Sequence, residues 1–261
     1  MPEGSLKPAS PLIWSSAKLG SVDGLRHGFT GRPGGVSAQG PFSGLNLSFR
    51  VGDERDAVLK NQARVLRALS FEQPRLITVK QVHGNQVVRV TRRAGKNIEA
   101  DAIWTTDRGV LIAVLVADCV PIIIADRRSR VVAAVHAGWR GTCAKIGLEM
   151  VRTLSEAGFE PSELVAAIGP SIGPERFEVG PEVVEAIDEA YPGVTDVVKR
   201  GEGDRFLVDL WKLNQHCLTE AGIALENIDT AGMCTVDSPH FFSYRRDGGL
   251  TGRQAGVVGL G

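Results

Sequence analysis

The chain has 261 residues, of which 43% are hydrophobic, and its 30 basic and 30 acidic residues give a formal net charge of zero. This length and composition predict one large globular domain with a sizeable core. A neutral chain lacks the broad positive potential that attracts nucleic acid or an anionic membrane, so we expect neither as a partner. We also expect no membrane span and no signal peptide, because the apolar runs are too short and the N-terminus is polar. Four cysteines in a chain of this size predict reduced thiols and a cytoplasmic location.

Short apolar, β-branched runs bounded by turn residues alternate with amphipathic segments along the chain. Residues 1–24 are expected to form a lead-in and residues 25–261 a single domain. The apolar runs predict strands at Leu25–Phe29, Leu76–Val82, Gln86–Val90, Asp101–Trp104, Val110–Val116, Pro121–Ala125, Val131–Val135, Leu164–Ile168, Ile228–Cys234 and Ala255–Leu260. The amphipathic segments predict helices at Asp53–Leu69, Thr142–Leu154, Glu182–Ala190 and Leu210–Ala221. We expect Gln86–Val90 to pair with the strand before it and Asp209 to cap the last helix. The pattern predicts a mixed α/β (α+β) domain that is rich in strands.

Three side chains that bind zinc well stand at predicted strand ends. They are His83, Cys119 and His136, each close in sequence to a glycine or a proline. One thiolate and two imidazoles, with a fourth position open, are a ligand set suited to catalytic zinc. Zinc would keep the thiolate deprotonated and would lower the pKa of a bound water. We expect Asp118 to orient one of the imidazoles.

The same three residues also suit an enzyme without a metal. Cys119 would then be the nucleophile and His136 or His83 the base, as in a thiol hydrolase or deamidase. Spacing along the chain does not separate these two interpretations, and a buried cysteine is often only a packing residue. Oxidation by a multicopper centre is excluded, because a trinuclear cluster needs many more histidines than the five in this sequence.

Two further segments have compositions that suit an anionic or aromatic ligand. The loop Gly31–Ser37 contains several glycines and Arg32, so its N–H groups and guanidinium would hold an anion. An ordinary surface turn is the alternative. Trp139 and Arg140 are expected in a pocket wall, because arginine stacks on aromatic rings, and Phe241–Gly249 is both aromatic and basic. The other histidines are expected to be structural: His27, His216 and His240.

Seven segments carry most of these residues, namely Gly31–Ser37 (GRPGGVS), Lys80–Gly84 (KQVHG), Ala117–Pro121 (ADCVP), His136–Gly141 (HAGWRG), Ile168–Pro174 (IGPSIGP), Phe242–Asp247 (FSYRRD) and Thr251–Arg253 (TGR). Their sequences and order resemble the laccase-domain family, which is also called the polyphenol oxidase or peptidoglycan editing factor family. The resemblance extends from about Arg26 to the last predicted strand. One departure is Gly31, where the family more often has threonine before the arginine.

The resemblance implies a purine nucleoside enzyme. Family members are understood to phosphorolyse adenosine, inosine and 5′-methylthioadenosine, and to deaminate adenosine. The resemblance also implies zinc, with copper as the alternative, bound by the positions His83, Cys119 and His136. The implied fold is a single layered domain of mixed sheets flanked by helices. It would be similar to the catalytic domain of cytotoxic necrotizing factor, itself a Cys/His deamidase.

These implications suggest two reactions with purine nucleosides and phosphate as partners. In deamination, zinc-bound hydroxide would attack C6 of the purine. In phosphorolysis, phosphate must approach C1′ while the departing base is protonated. We expect Arg32 to hold the phosphate, together with Arg140 or Arg245. We expect Asp118 and Tyr244 to contact the substrate. Binding or hydrolysis of a cell-wall precursor is a third alternative, and the sequence does not determine the oligomeric state.

Overall fold

The structure, a computed structural model, describes residues 10–38, 40–71, 76–95 and 97–261. The first nine residues of the expected lead-in lie outside these ranges. The strands are β1 (Ile13–Trp14), β2 (Leu25–Thr30), β3 (Leu76–Ile77), β4 (Val87–Arg89), β5 (Ala102–Thr105), β6 (Leu111–Val116), β7 (Val120–Asp126), β8 (Val132–Ala137), β9 (Leu164–Ile168), β10 (Glu178–Val179), β11 (Val198–Arg200), β12 (Phe206–Val208), β13 (Ile228–Thr230) and β14 (Gln254–Leu260). The helices are α1 (Ala17–Gly20), α2 (Arg55–Ala68), α3 (Trp139–Cys143), α4 (Ile146–Glu156), α5 (Pro181–Ala190) and α6 (Leu210–Glu220). The expected mixed α/β class is confirmed.

Two mixed sheets contact each other face to face at the centre of the molecule. The first has the strand order β1-β2-β14-β6-β3 and the second the order β13-β9-β7-β8-β5-β4. Residues of both sheets share one buried cluster, in which Ile112 and Val258 of the first lie with Ile123 of the second. A smaller sheet has the order β10-β12-β11, and its Val179 and Val208 belong to a buried cluster shared with strands of the second sheet.

Helices cover the outer face of each large sheet. On the first sheet, α2 contributes Val65 and Leu66 to a cluster with Leu111 and Val257. On the second, α4, α5 and α6 share a larger cluster with strands β5, β7, β8 and β9. Strand residues therefore alternate between two apolar layers, which explains why these strands are continuous apolar runs rather than alternating ones. Among the helices of the described ranges, none combines the length and the apolar character that crossing a bilayer requires.

The N-terminal segment contributes two elements to the fold. Strand β1 pairs antiparallel with β2, so Ile13 lies opposite Thr30. Ser16 caps α1 by accepting a hydrogen bond from the Leu19 N–H, and the Leu19 side chain is fully buried. Within the expected lead-in, residues 13–20 therefore form elements of the fold, with β1 paired to β2 and α1 in contact with β2 of the first sheet and β9 of the second.

The prediction that Gln86–Val90 pairs with the strand before it was wrong. Strand β3 ends at Ile77 and pairs with β6 of the first sheet. Strand β4 pairs in parallel with β5 of the second sheet. The loop between them crosses from one sheet to the other, and a local apolar pattern does not specify which distant strand becomes a partner.

The predicted helix Thr142–Leu154 is two helices. Helix α3 ends at Cys143, and Lys145 then takes a left-handed conformation with φ of 55° before α4 begins. The amphipathic pattern continues across this break, so it does not reveal the change in direction. The predicted cap of α6 is confirmed, since the Asp209 carboxylate accepts a hydrogen bond from the Lys212 N–H at 3.0 Å.

A candidate metal centre where the chain crosses between the sheets

The structure brings His83, Cys119 and His136 together. Their candidate ligand atoms all lie within 4.8 Å of one another, and the two imidazole rings meet edge to face with centroids 4.8 Å apart. His83 follows β3 of the first sheet, Cys119 lies between β6 and β7, and His136 is on β8 of the second sheet. His136 is buried, Cys119 is partly buried and His83 is exposed. The group is therefore open to solvent on the His83 side.

The backbone around this group has unusual conformations. His83 and Asp118 have φ values of 63° and 83°, in the left-handed region that residues other than glycine rarely adopt. Gly138 lies against the group, where a Cβ atom would stand 3.1 Å from the Cys119 Sγ and 3.2 Å from the His83 ring. Such conformations persist only where the surrounding structure holds them, and they are common at functional sites.

The carboxylate that contacts His136 belongs to Asp101 and not, as expected, to Asp118. Asp101 is fully buried, and its Oδ1 lies 2.8 Å from His136 Nδ1. Asp118 instead accepts hydrogen bonds from the hydroxyls of Thr235 and Ser243 and from the Arg245 N–H. None of these partners is an imidazole, although Cys119 is the next residue.

Cys119 and His136 shift each other's pKa in opposite directions. Burial raises the pKa of the Cys119 thiol, but the charge and hydrogen bond of His136, with help from His83, bring it down to about 6. Burial lowers the pKa of His136, yet the Cys119 thiolate and the Asp101 carboxylate raise it to about 9. Without a metal, neutral pH therefore favours a thiolate beside an imidazolium.

The three residues line a pocket of about 540 Å³ whose walls are basic and aromatic. Its basic side chains are Arg50, Arg140, Arg245 and Arg253. Its aromatic side chains are Trp139, Phe177 and Tyr244. Asp118 is the only carboxylate that lines the pocket in the described part of the chain, and three donors already occupy its oxygens. The pocket therefore favours an anionic ligand with an aromatic group.

The predicted pocket wall of Trp139 and Arg140 is present. The Arg140 guanidinium stacks on the Trp139 ring at 4.2 Å from its centroid, and both residues line the pocket. Arg245 donates hydrogen bonds to the carbonyls of Arg176 and Glu178. These bonds hold its guanidinium beside the pocket, while the neighbouring Tyr244 side chain is exposed at the rim.

Arg32, the expected phosphate ligand, does not line this pocket. Its Nε donates to the Ser43 carbonyl at 2.9 Å, and its guanidinium lies over the Phe242 ring. The N–H groups of Arg32, Val36 and Ser37 are also occupied, by His240, Asn61 and Gly44 respectively. The loop Gly31–Ser37 is therefore held by internal hydrogen bonds and has few donors left for an anion.

Two pocket arginines were not assigned a role from the sequence. Arg253 is the last residue of the segment TGR, so the resemblance contained a signal for it. Its Nη1 donates to the carbonyls of Thr251 and Gly252, which holds the side chain in place. Arg50 follows Phe49 and lies in none of the seven segments that carry the resemblance, so the sequence did not indicate a role for it.

The donor set fits a zinc ion. One thiolate and two imidazoles leave a fourth position open, which is the arrangement of many catalytic zinc sites. Zinc bond lengths imply ligand atoms about 3.5 Å apart, so separations within 4.8 Å require only small side-chain movements. Gly138 leaves room beside the thiol and the His83 ring that any other side chain would fill.

Fold and site together define a mixed α/β protein with a candidate His/Cys/His metal centre. The model of the family described as multi-copper polyphenol oxidoreductase laccase matches residues 26–261, so the chain belongs to this family. A purine nucleoside phosphorylase of Deinococcus radiodurans is 42% identical over 234 residues, covering 90% of this chain and 88% of that protein. The purine nucleoside phosphorylase YfiH of Escherichia coli is 37% identical over 230 residues, covering 88% and 91%.

Solved structures of similar proteins share the fold. The crystal structure of YlmD from Geobacillus stearothermophilus matches with a TM-score of 0.89 and 32% identity, over 97% of this chain and 96% of that one. The crystal structure of YfiH from Bacillus licheniformis matches with a TM-score of 0.85 and 30% identity, over 91% and 93%. The layered arrangement of two mixed sheets is therefore that of the family.

Proposed function

We propose that the protein is a zinc-dependent purine nucleoside phosphorylase of a reducing, cytoplasmic compartment. One observation carries the proposal: a His/Cys/His group opens into a pocket lined by four arginines and three aromatic rings. The names of the similar proteins from Deinococcus radiodurans and Escherichia coli support the reaction. The substrates would be adenosine, inosine or 5′-methylthioadenosine together with inorganic phosphate.

The arginines of the pocket bind the phosphate in this proposal. Arginine presents several donors in a fixed plane and holds phosphate oxygens in pairs. Arg253 and Arg245 are already held by backbone carbonyls, so little conformational freedom is lost when they bind the anion. Arg140 lies on Trp139 at the wall of the same pocket. The phosphate would thus be positioned for attack on C1′ of the ribose.

The metal and the aromatic side chains bind the nucleoside. His83, Cys119 and His136 would hold zinc, which when bound is a Lewis acid that stabilises negative charge as it develops. Trp139 and Tyr244 offer flat faces on which a purine stacks. Asp118 holds the backbone of Arg245 through a hydrogen bond of 2.6 Å, so it orients the phosphate side of the pocket.

Phosphorolysis is favoured over adenosine deamination by the charge of the pocket. Zinc deaminases use a glutamate beside the metal as general acid and base. Within the described ranges of the chain, the pocket has no such free carboxylate, since Asp118 accepts hydrogen bonds from three donors. Deamination of adenosine therefore remains a second, slower activity in this proposal.

The first test combines metal analysis with a product assay on adenosine. We expect about one zinc per chain from the ligand set, and adenine that forms only when phosphate is present. Inosine that forms without phosphate would instead identify deamination as the main activity. A metal-free protein that is inactive on nucleosides would contradict the proposal.

Arginine variants test the assignment of the phosphate site. Arg140→Gln and Arg253→Gln should each raise the KM for phosphate about tenfold or more, because each removes charge-assisted hydrogen bonds. Arg32→Gln is the matched control, since its guanidinium lies outside the pocket lining. A rise for Arg32→Gln equal to that of the other two variants would show that the phosphate binds elsewhere.

A metal-free thiol hydrolase or deamidase is the second candidate function. The observation that favours it is geometric: the Cys119 thiol lies within 4.8 Å of a ring nitrogen of His83 and of one of His136. These imidazoles lower the pKa of Cys119 to about 6 against the opposing effect of burial. A thiolate of this kind is a nucleophile. Rapid loss of the Cys119 thiol to iodoacetamide in freshly purified protein, together with the absence of zinc, would favour this candidate.

A further inference from the structure

We propose that Asp101 is the residue that positions both histidines of the metal centre, an inference that rests on the proposed zinc site. Asp101 lies just before β5 and is fully buried. Its two carboxylate oxygens contact the loop that carries His83 and the ring of His136. No other carboxylate among the described residues has hydrogen bonds to both segments.

The loop of His83 is held by three successive N–H groups that point at one carboxylate. Val82 and Gly84 donate to Asp101 Oδ2 at 3.2 and 2.8 Å, and His83 donates to Oδ1 at 2.9 Å. This arrangement holds His83 in its left-handed conformation, with φ of 63°. A left-handed residue other than glycine persists only when its surroundings hold it there. The direction of the His83 side chain therefore depends on Asp101.

His136 is held by the same residue through its backbone and its ring. Its N–H donates to the Asp101 carbonyl at 2.7 Å, and its Nδ1 lies 2.8 Å from Asp101 Oδ1. A carboxylate beside Nδ1 keeps the proton on that nitrogen. Neutral His136 then has its free lone pair on Nε2, which is the nitrogen left to bind a metal. A hydrogen bond of this kind orients a ligand imidazole.

Asparagine cannot reproduce these contacts. The carboxylate of Asp101 accepts four hydrogen bonds, two on each oxygen. An amide of the same size has one accepting oxygen, so its NH₂ group would face two donors whichever way it is turned. Either the His83 loop or the His136 ring would then lose its partner. Asp101→Asn should therefore displace a ligand without changing the size of the side chain.

The experiment compares zinc affinity in Asp101→Asn and Asp126→Asn by competition with a chromophoric chelator. Asp126 is an apt control, because it is also fully buried and accepts several hydrogen bonds, including those of the Arg128 and Arg130 N–H groups. It stands at the far end of β7, away from the site. We expect the zinc Kd to rise about 10- to 100-fold in Asp101→Asn and to stay within about threefold of the wild type in Asp126→Asn.

The outcomes separate a failure of this inference from a failure of the zinc proposal. A wild-type protein that binds no zinc would overturn the metal centre and the role of Asp101 with it. A wild-type protein that binds zinc, with equal affinities in the two variants, would overturn the role of Asp101 alone. Urea unfolding of both metal-free variants shows whether a change in affinity exceeds the general loss of stability.

A second measurement needs no variant and covers the case in which Asp101→Asn does not fold. Long-range ¹H–¹⁵N spectra of the zinc-bound wild type report which ring nitrogen of each histidine carries the proton. We expect His136 as the Nδ1–H tautomer with Nε2 on the metal. An Nε2–H tautomer for His136 would contradict the proposed contact with Asp101.

Discussion

Gly138 shows how closely single residues determine the geometry of the candidate metal centre. It follows Ala137, the last residue of β8, and is the N-cap of α3. A Cβ atom at this position would be 3.1 Å from the Cys119 Sγ and 3.2 Å from the His83 ring. Both distances are shorter than ordinary van der Waals contacts. A side chain here would therefore move two candidate ligands at once.

We expect Gly138→Ala to weaken zinc binding about tenfold and to lower the free energy of unfolding by about 1–3 kcal/mol, as overpacking does in other cores. Gly20→Ala is the control, because no atom lies within 4 Å of a Cβ built there. The measurements are chelator competition and urea denaturation. Unchanged zinc affinity in Gly138→Ala would show that the thiol and the imidazole move aside without cost.

At the scale of elements, His27 connects β2 to the N-terminal helix. The Ser16 N–H donates to His27 Nε2 at 3.1 Å, and the Ser16 hydroxyl donates to Asp229 of β13. Burial lowers the pKa of His27 from its ordinary value of 6.5. Accepting the Ser16 N–H also requires the neutral imidazole, since protonation removes the lone pair of Nε2. The attachment of α1 therefore depends on an uncharged His27.

This attachment predicts a pH dependence of stability. Well above pH 6.5 His27 is neutral in both the folded and the unfolded state, so its contribution to stability is fully present. As the pH falls below 6.5, His27 is protonated first in the unfolded chain, because burial lowers its pKa in the folded chain. The free energy of unfolding therefore decreases until the pH is below the pKa of His27 in the folded state. Urea denaturation at several values between about pH 5 and pH 7.5 measures this decrease in the free energy of unfolding.

The matched variants for this test are His27→Gln and His216→Gln. His27→Gln removes the titrating group, so the free energy of unfolding of this variant should decrease less below pH 6.5 than that of the wild type. His216 is exposed on α6, so its replacement should leave the pH profile as in the wild type. Two variants with the same profile as the wild type would mean that another group causes the pH dependence.

For the whole molecule, the candidate metal centre joins the two large sheets. His83 lies in the crossing from β3 to β4, and Cys119 lies in the crossing from β6 to β7. His136 stands on β8 opposite Pro121 of β7. A metal bound to these three residues would therefore connect segments that are far apart in the sequence. Binding of this kind stabilises the folded state alone.

We expect removal of the metal to lower the Tm of the whole domain. Zinc at one hundred times its Kd should add about 2.7 kcal/mol to the free energy of unfolding. Differential scanning calorimetry with and without a chelator measures the shift. Cys119→Ala should show no response to zinc or chelator, and a wild-type Tm that does not depend on zinc would contradict a structural role for the site.

Most strands and helices could be predicted from local patterns. Strands β6 to β9 are continuous apolar runs because helices cover the outer faces of both sheets, so each strand is buried on two sides. The grouping of His83, Cys119 and His136 was also expected, since few residue types bind zinc and the family resemblance implies these three as ligands. The structure places His83 in the loop after β3, not at the strand end itself. What remains a prediction is the metal itself and the roles of the individual pocket residues.

Only the tertiary structure decided which distant groups meet. Asp118 adjoins Cys119 in the sequence, yet its carboxylate accepts hydrogen bonds from Thr235 and Ser243, and Asp101 reaches His136 instead. The sequence by itself indicated most strands and helices and the three candidate ligands, because apolar periodicity and side-chain chemistry are read locally. It did not indicate β1, α1 or the small sheet β10-β12-β11. Strand partners and hydrogen-bond partners depend on how the two sheets face each other, which no local pattern contains.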